Sequence, residues 1–341
     1  YKCPSRNITL TPRRRIVVRR ELLKLKRKGE NVPYKELLNQ YQYDGLDTCA
    51  VDGLCATACP VDINTGSLVK RLRRENHSAF ANGIALRVAK NFKPVTQVVK
   101  AGLYTASAVN KVFGKNAMFN FTKTVKKVIP AMPLWSNQIY PTQNFNHYLS
   151  DDISKKHAVV VYYPTCISRV MGGAADGKKN IIETFVSISN KANVGFNIPK
   201  DISGTCCGQI FSSKGFSSAY QHTVNDTVAK MWEWSNKGEL PIVLDITSCT
   251  LTLQECGHAL SAENKQKFDA MQIIDSVDYI LNYLLPNINI VKKKDKITLH
   301  PVCSLQKMGL EAKFVSIARH LADEVNVPVN AGCCGMAGDR G

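Results

Sequence analysis

The residues of this sequence best suited to chemistry are its cysteines. The chain has 341 residues and 12 cysteines, including two adjacent pairs. Thiolates bind zinc and iron–sulfur clusters, or they pair as disulfides in oxidising compartments. The length, the adjacent pairs and a first stretch without a signal-peptide pattern favour metal or cluster binding over a disulfide framework. The cysteines are Cys3, Cys49, Cys55, Cys59, Cys166, Cys206, Cys207, Cys249, Cys256, Cys303, Cys333 and Cys334.

The first four cysteines have a spacing suited to iron–sulfur clusters. Cys3 precedes a proline, and Cys49, Cys55 and Cys59 follow as C-x5-C-x3-C-P. Bacterial ferredoxins use C-x2-C-x2-C-x3-C-P, in which the last cysteine binds the neighbouring cluster. Here Asp52 occupies the place of the second cysteine. It is either an oxygen ligand of a fourth iron or only part of an Asp-Gly turn.

The gapped pattern resembles that of the iron–sulfur subunits of succinate dehydrogenase and fumarate reductase. In those proteins the same gap holds a [3Fe-4S] cluster. The resemblance implies that Cys3, Cys49 and Cys55 hold one cluster. It also implies that Cys59 is the fourth ligand of a second cluster, whose other cysteines lie upstream of Tyr1.

Helical patterns flank these cysteines. Residues 13–28 carry apolar residues among charges, and residues 35–41 form a second short stretch. Asn64 or Thr65 can cap a helix that runs through Leu72. The patterns therefore predict an α-helical ferredoxin domain over residues 1–81.

The basic charge is concentrated in the first part of the chain. Residues 1–150 hold 25 Lys and Arg against 8 Asp and Glu, whereas residues 151–341 hold 20 against 19. The overall composition, 44% hydrophobic and 21% charged, is that of an ordinary globular protein. No apolar run approaches the roughly 20 residues that span a bilayer. The change in charge predicts a domain boundary near residue 150.

A basic helical segment and linker is predicted over residues 82–150. No acidic residue lies between Glu75 and Asp151, and apolar residues recur there at helical spacing. Such helices bind anionic lipid surfaces. A solvated helix face that packs on a neighbouring domain would have the same sequence pattern. Nucleic acid is disfavoured because no aromatic platform or known module accompanies the charge. The nine basic residues are Arg87, Lys90, Lys93, Lys100, Lys111, Lys115, Lys123, Lys126 and Lys127.

The region 151–341 contains an internal repeat. VVVYYPTCISRVMGG aligns with ITLHPVCSLQKMG so that Cys166 matches Cys303, and each copy ends in Cys-Cys-Gly. The copies cover about 157–250 and 295–341, the second being truncated. Each reads as a β-loop-α unit, and a strand over Ile242–Ile246 leads to Cys249. Because sites gather at the carboxyl ends of strands, one rim is predicted to carry several thiols. They are Cys166, Cys206, Cys207, Cys249, Cys303, Cys333 and Cys334.

This pattern resembles the CCG domain of heterodisulfide reductase, of the anaerobic glycerol-3-phosphate dehydrogenase small subunit and of glycolate oxidase iron–sulfur subunits. In that family a C-x2-C follows each Cys-Cys-Gly, whereas here Cys249 is followed by Thr252. The departure favours one [4Fe-4S] cluster shared between the copies over two noncubane clusters. A structural zinc competes, because four cysteines suit it equally. Cys256 lies outside the pattern and is expected to be an ordinary buried thiol.

The order of all these parts resembles the C-terminal half of bacterial FAD-binding and Fe–S-binding D-2-hydroxyacid dehydrogenases. Respiratory, NAD-independent D-lactate dehydrogenases are the first choice, with D-2-hydroxyglutarate dehydrogenases as close relatives. The resemblance implies a piece of a longer polypeptide, in which an N-terminal FAD domain oxidises the hydroxyacid. The Fe–S half then passes electrons to a quinone or cytochrome. The glycine-rich stretch 172–177 lacks G-x-G-x-x-G spacing, so no FAD site is predicted in this chain.

The fold class that follows is multi-domain, with an all-α helical ferredoxin domain followed by an α/β tandem CCG domain. A cytoplasmic protein, peripheral on the inner face of the cytoplasmic membrane, is expected. Two other functions stay open. One is a stand-alone electron-relay subunit of the glycolate oxidase or anaerobic glycerol-3-phosphate dehydrogenase type. The other is a CCG site that itself reduces a heterodisulfide or quinone, against which the missing C-x2-C cysteines argue. Homo-oligomerisation also stays open.

Overall fold

The computed structural model describes residues 11–129, 132, 134–150, 157–173, 178–329 and 331–332. The predicted ligands Cys3, Cys333 and Cys334 lie outside these residues. The chain divides into two compact units. The first contains residues 1–85, 209–218 and 290–341, and the second contains residues 86–208 and 219–289. The domain limits drawn from the sequence stay predictions.

The described residues form helices and six short strands. The helices are α1 (Pro12–Lys28), α2 (Asn31–Tyr41), α3 (Leu54–Thr57), α4 (Thr65–Asn76), α5 (Ala79–Lys90), α6 (Phe92–Phe113), α7 (Ala117–Val128), α8 (Cys166–Val170), α9 (Ile181–Lys191), α10 (Gln209–Lys214), α11 (Ser217–Trp234), α12 (Thr247–Gln254), α13 (Ala262–Asp269), α14 (Ser276–Tyr279), α15 (Cys303–Lys307) and α16 (Glu311–Leu321). The strands are β1 (Val160–Tyr163), β2 (Phe196–Asn197), β3 (Ile242–Leu244), β4 (Ile273–Asp275), β5 (Lys294–Thr298) and β6 (Ala322–Asn326).

Local signals at the helix ends explain the helices of the first unit. The Thr11 hydroxyl accepts a hydrogen bond from the Arg14 amide, and Pro12 follows in the first turn of α1. Gly29 ends that helix in the left-handed conformation. Asn64, one of the two predicted caps, accepts from the Ser67 amide and starts α4. These helices enclose a small core of Leu22, Tyr41, Leu46, Cys49, Val69 and Leu72.

The basic segment in the second unit is helical, as predicted. Pro94 lies in the first turn of α6, directly after the break at Asn91 that separates α5 from α6. The first turn tolerates proline, since its amide groups have no partner within the helix. The helix therefore continues for 22 residues. Among the described residues, no helix is both long enough and apolar enough to cross a membrane.

The second unit is built on a four-stranded parallel sheet with the strand order β2-β1-β3-β4. All four residues of β1 and all three of β3 are buried, which is typical of central parallel strands covered on both faces. The predicted strand Ile242–Ile246 ends earlier, at Leu244, because a helix begins at Thr247. From β1 the chain first adds β2 on one side and then adds β3 and β4 on the other side. The strand order therefore reverses between β1 and β3.

The two aligned sequence copies have the same order of elements. The first runs β1, α8, α9 and β2, and the second runs β5, α15, α16 and β6. In each copy the two strands pair in parallel, and in each a short helix begins at the aligned cysteine. They differ in burial, since β1 is fully buried and β5 is largely exposed. A tandem CCG arrangement stays a prediction.

Candidate metal centres

Four cysteines of the second unit lie near the strand ends where the strand order of its sheet reverses, between β1 and β3. Cys166 begins α8 just after β1, and Cys249 lies in the first turn of α12 just after β3. Parallel sheets bind ligands at the carboxyl ends of their strands, where the strand order reverses. Cys206 and Cys207 reach the same place from the loop before α10, and both are buried.

The four thiols lie close to one another. The Cys166 and Cys206 Sγ atoms are 3.5 Å apart. Cys207 lies close to Cys206 and to Cys249, and each of these two thiols affects the pKa of Cys207. The sequence predicted all four as ligands of one site, and the structure brings these four together. Among the described cysteines, no two are joined by a disulfide.

The Cys-Cys-Gly turn is fixed by backbone geometry. Gly208 has φ +79°, and a Cβ atom there would lie 2.8 Å from the Tyr220 ring. Its amide donates to the Cys206 Sγ at 3.4 Å, and the Thr227 hydroxyl donates to the Cys206 carbonyl oxygen at 2.9 Å. Glycine is needed here because the chain turns in the left-handed conformation beneath an aromatic ring.

Burial and mutual contact keep these thiols neutral in the absence of a positive centre. The hydrogen bond to Cys206, followed by burial, raises the pKa of Cys166 well above its usual range. At Cys249 the hydrogen bond from Cys207 acts to lower the pKa, but burial and neighbouring negative groups outweigh it. Four adjacent thiolates would repel one another, so ionisation requires a cation among them. A bound metal ion is such a cation, and its binding releases the thiol protons.

Two charged side chains that sequence reasoning missed hold this site. The Asp245 carboxylate accepts from the Tyr162 hydroxyl at 2.8 Å and from the Thr165 amide at 3.1 Å. Burial raises its pKa. Arg169 is buried three residues after Cys166 and donates to carbonyl oxygens of both cysteine loops. In the sequence, their roles were indicated only by position: Asp245 directly follows a strand, and Arg169 lies three residues after a cysteine.

The donor set suits a metal group bound by thiolates. Four soft sulfur ligands fit an iron–sulfur cluster, and they fit zinc as well. Within the described ranges, no three His, Cys, Asp or Glu side chains already surround a point as the ligands of a single ion do. The Cys166 and Cys206 sulfurs are in contact instead, and Cys207 and Cys249 lie beside them. The residue types, their burial and their proximity are therefore the features that fit.

A second cysteine set lines a small pocket in the first unit. Cys49 and Cys55 face it together with Asp52 and the side of α4. Cys59, predicted to serve another cluster, is not among its lining residues. The full lining is Pro12, Arg15, Cys49, Ala50, Val51, Asp52, Gly53, Cys55, Thr65 and Gly66.

The two oxygens of Asp52 have different surroundings. Oδ1 accepts from the Leu54 amide at 3.1 Å, which closes the predicted Asp-Gly turn. Oδ2 is buried and has no hydrogen-bond partner among the described residues. A buried carboxylate oxygen without a partner is costly, and it needs either a proton or a cation. Asp52 thus forms the turn and also keeps one oxygen available to a metal.

The thiols of this pocket lie beside positive charge. Burial raises the pKa of Cys49, while the charges of Arg15 and Arg73 act to lower it. Arg73 also donates to the Cys49 carbonyl oxygen at 3.0 Å and so holds the loop. The Cys55 Sγ lies 3.1 Å from the Thr65 Oγ1 at the start of α4. Soft sulfur donors, one free carboxylate oxygen and nearby cations fit an anionic iron–sulfur group.

The remaining predicted ligands are less well placed by the structure. Cys303 begins α15 in the first unit, and its part in a shared site stays a prediction. Cys3, Cys333 and Cys334 lie outside the described residues. Cys256 is a fully buried thiol, as expected, and burial raises its pKa to about 12.

Comparison with known proteins supports the assignment of the second unit's site. Residues 160–254 match the family model of the CCG cysteine-rich domain. The match runs from β1 to the end of α12 and contains Cys166, Cys206, Cys207 and Cys249. No curated protein and no solved structure gives a significant match to the chain. CCG domains occur in Fe–S oxidoreductases, so an iron–sulfur electron-transfer role is consistent with this region.

Proposed function

We propose that this chain is the electron-transfer part of an FAD-dependent, NAD-independent D-2-hydroxyacid dehydrogenase. D-Lactate, oxidised to pyruvate, is the substrate proposed first, with a quinone or cytochrome as the electron acceptor. The observation that carries the proposal is the set of four neighbouring cysteines, three of them buried, in the region that matches the CCG domain. An iron–sulfur cluster bound there would supply one-electron transfer. The FAD-binding domain would belong to the same polypeptide, outside this chain.

The protein's own contribution is to bind and insulate that group. The cysteines are held by two strand ends and one turn, and apolar side chains of the sheet surround them. Burial keeps water away, which limits side reactions and sets the potential together with nearby charges. We assign no catalytic side chain to this chain.

The proposal is tested first by metal analysis of the full-length protein. Iron, acid-labile sulfide and zinc are measured in wild type and in Cys207→Ser, with Cys256→Ser as the matched control. Both thiols are buried in the same unit, but Cys256 lies outside the contacting set. We expect Cys207→Ser to lose iron and sulfide and Cys256→Ser to keep them. Equal content in both variants would contradict the proposed site, and loss of zinc alone would assign it to zinc.

The shared-site arrangement has its own test in the same series. If the two Cys-Cys-Gly pairs serve one cluster, Cys334→Ser should lose the same metal equivalent as Cys207→Ser. Loss of a different equivalent, or of none, would separate the two copies.

The substrate is tested by turnover of the full-length protein. A panel of D-2-hydroxyacids with an artificial electron acceptor should show the highest kcat/KM for D-lactate, and D-2-hydroxyglutarate is the alternative. A native polypeptide without a flavin domain and without turnover would favour the stand-alone relay subunit.

We further propose that α6 and α7 bind an anionic lipid surface. All charged residues of these two helices are basic, and several large apolar side chains on them are exposed. Contact with anionic lipid would satisfy both features.

A further inference from the structure

The buried basic side chains of this protein lie beside its cysteines. In the described part of the chain, Arg15 and Arg169 are the Lys and Arg residues that are buried, with 3% and 7% of their surface exposed. The charge of Arg15 acts to lower the pKa of Cys49, and the charge of Arg169 acts to lower the pKa of Cys166. Arginine is almost never fully buried unless something pairs with it. The same association in both units suggests a common reason.

The guanidinium of Arg169 connects the two cysteine loops of the second unit. Its Nε donates to the Thr165 carbonyl oxygen at 3.4 Å, immediately before Cys166. Its Nη2 donates to the Thr205 carbonyl oxygen at 2.6 Å, immediately before Cys206. Its Nη1 donates to the Ile202 carbonyl oxygen at 2.5 Å. One rigid group thus fixes the backbone on both sides of the closest sulfur pair.

These hydrogen bonds satisfy the donors of Arg169 but not its charge. Its hydrogen-bond partners in the described chain are carbonyl and hydroxyl oxygens, and no ion pair with a carboxylate is found for it there. The Tyr163 ring lies 6.0 Å away and offers only a weak cation–π contact. A buried charge is costly unless an opposite charge lies close to it. The Asp245 carboxylate bonds to the Thr165 amide and not to Arg169, whereas the guanidinium acts to lower the pKa of the Cys166 thiol.

We propose that Arg169 is the counter-charge of an anionic metal–thiolate centre formed by Cys166, Cys206, Cys207 and Cys249, and that it holds their loops in place. The inference rests on the proposed function, because it requires that these thiols bind a metal group. Four thiolates around a divalent zinc ion carry two net negative charges. Four thiolates around an iron–sulfur cluster in its doubly positive state carry the same. With neutral thiols, no negative side chain among the described residues would pair directly with the guanidinium.

The charge has a consequence for electron transfer. Reduction adds a negative charge to the centre, and a buried cation nearby favours the reduced state. Arg169 therefore raises the reduction potential of the centre. Its hydrogen bonds raise the fraction of protein that holds the centre, because they pre-position the ligands. Different substitutions of Arg169 can separate the effect of its charge on the potential from the effect of its hydrogen bonds on occupancy.

The test compares Arg169→Lys and Arg169→Gln in the full-length protein. Lysine keeps the charge but loses the forked hydrogen bonds, and glutamine loses the charge. The control is Arg87→Gln, which removes an exposed arginine from the same unit. Iron and sulfide content are measured, and the midpoint potential is read from visible absorption during reductive titration with dithionite. We expect reduced content in both Arg169 variants, and a more negative midpoint in Arg169→Gln alone.

Each outcome decides the inference. Wild-type content and midpoint in Arg169→Gln would overturn it and leave the proposed function standing. Absence of iron and zinc from the wild type would overturn the proposed function and the inference with it. If Arg169→Gln does not fold, Arg169→Lys decides, since full content or a lowered midpoint there contradicts the assigned roles. If the centre holds zinc, a chelator should remove it faster from Arg169→Gln than from Arg169→Lys, and equal rates would overturn the charge role.

Discussion

At Asp52 a single side chain combines two roles that the sequence presents as alternatives. Its Oδ1 closes a turn with the Leu54 amide, and its Oδ2 is left buried in a pocket beside Cys49 and Cys55. A turn residue needs only one of the two oxygens. The second oxygen is explained if a metal centre occupies the pocket, because a carboxylate is a weaker and harder ligand than a thiolate.

The residue-scale prediction is that Asp52 determines the cluster type in the first unit. Because a carboxylate holds one corner weakly, the air-oxidised full-length protein should show the EPR signal of a three-iron cluster. Asp52→Cys supplies a thiolate at that corner and should convert the cluster to the four-iron type. Iron content should rise by about one atom per cluster, because a soft thiolate retains the fourth iron.

The control for this prediction is Asp62→Asn. Asp62 is exposed in the same segment, and its left-handed backbone conformation also suits asparagine. Its spectrum should equal that of wild type. Four-iron clusters alone in both wild type and Asp52→Cys would show that the gap in the cysteine pattern has no effect on the cluster.

Single residues also mark the limit of what the sequence could reveal. The cysteines were found because their spacing carries the signal. Arg169 and Asp245 were not found, because their roles depend on distant partners. Arg169 bonds to residues 33 and 36 positions away, and Asp245 bonds to residues 80 and 83 positions away. A charged residue beside a buried strand is a hint, but only the fold identifies its partners.

At the scale of elements, the Cys-Cys-Gly turn shows how a short motif positions two ligands. Gly208 adopts a left-handed conformation beneath the Tyr220 ring, and this directs Cys206 and Cys207 towards the strand ends. The sequence shows the Cys-Cys-Gly motif but not the reason for its glycine, because Tyr220 belongs to the next long helix.

The element-scale prediction is that Gly208→Ala destabilises the second unit by two separable causes. The left-handed conformation costs about 1–2 kcal/mol for a non-glycine residue. The new Cβ would also lie 2.8 Å from Tyr220, which forces the ring to move. We expect a loss of more than about 2 kcal/mol in urea unfolding, followed by fluorescence of the tryptophans.

The second cause is isolated by a double-mutant cycle with Tyr220→Leu. In that background the ring is gone, so Gly208→Ala should cost only the conformational part, about 1–2 kcal/mol. An equal cost in both backgrounds would mean that the ring does not constrain the turn.

The order of elements was more predictable from the sequence than their ends. The repeat predicted a strand, a loop and a helix in each copy, and the structure has them. The strand before Cys249 was predicted two residues too long, because the segment Ile242–Ile246, apolar except for Asp245, continues into a helix cap. Apolar runs do not distinguish a buried strand from the start of a buried helix. Parallel pairing also joins distant segments, so the strand order could not be predicted locally.

At the scale of the whole molecule, the most uneven property is charge. Nearly all of the net charge of +18 comes from residues 1–150, and acidic residues are missing from the stretch that forms α6 and α7. Large apolar side chains on these two helices are also exposed, including Phe113 at 76% and Val128 at 83%. A purely solvated face would not need those apolar groups. Cations together with exposed apolar side chains are what an anionic lipid surface binds.

The last prediction is that these helices bind anionic vesicles through charge and apolar contact together. The full-length protein should sediment with vesicles that contain phosphatidylserine at low salt. It should be released substantially in 1 M salt, where the Debye length falls to about 3 Å. Replacing Lys123, Lys126 and Lys127 by Glu removes roughly 1 kcal/mol of attraction for each lysine and adds repulsion. Binding should fall by at least about 100-fold, while dye-linked dehydrogenase activity is unchanged.

The matched control changes the same number of charges elsewhere. Lys200, Lys292 and Lys293 are exposed and lie outside α6 and α7. Their replacement by Glu lowers the net charge equally, so it tests whether total charge or its location attracts the vesicle. If location decides, this variant keeps most of its binding and still responds to salt. If both triple variants lose binding equally, the attraction is that of a generally basic protein. If neither loses it, these lysines of α7 do not attract the vesicle, and the proposed lipid surface is wrong.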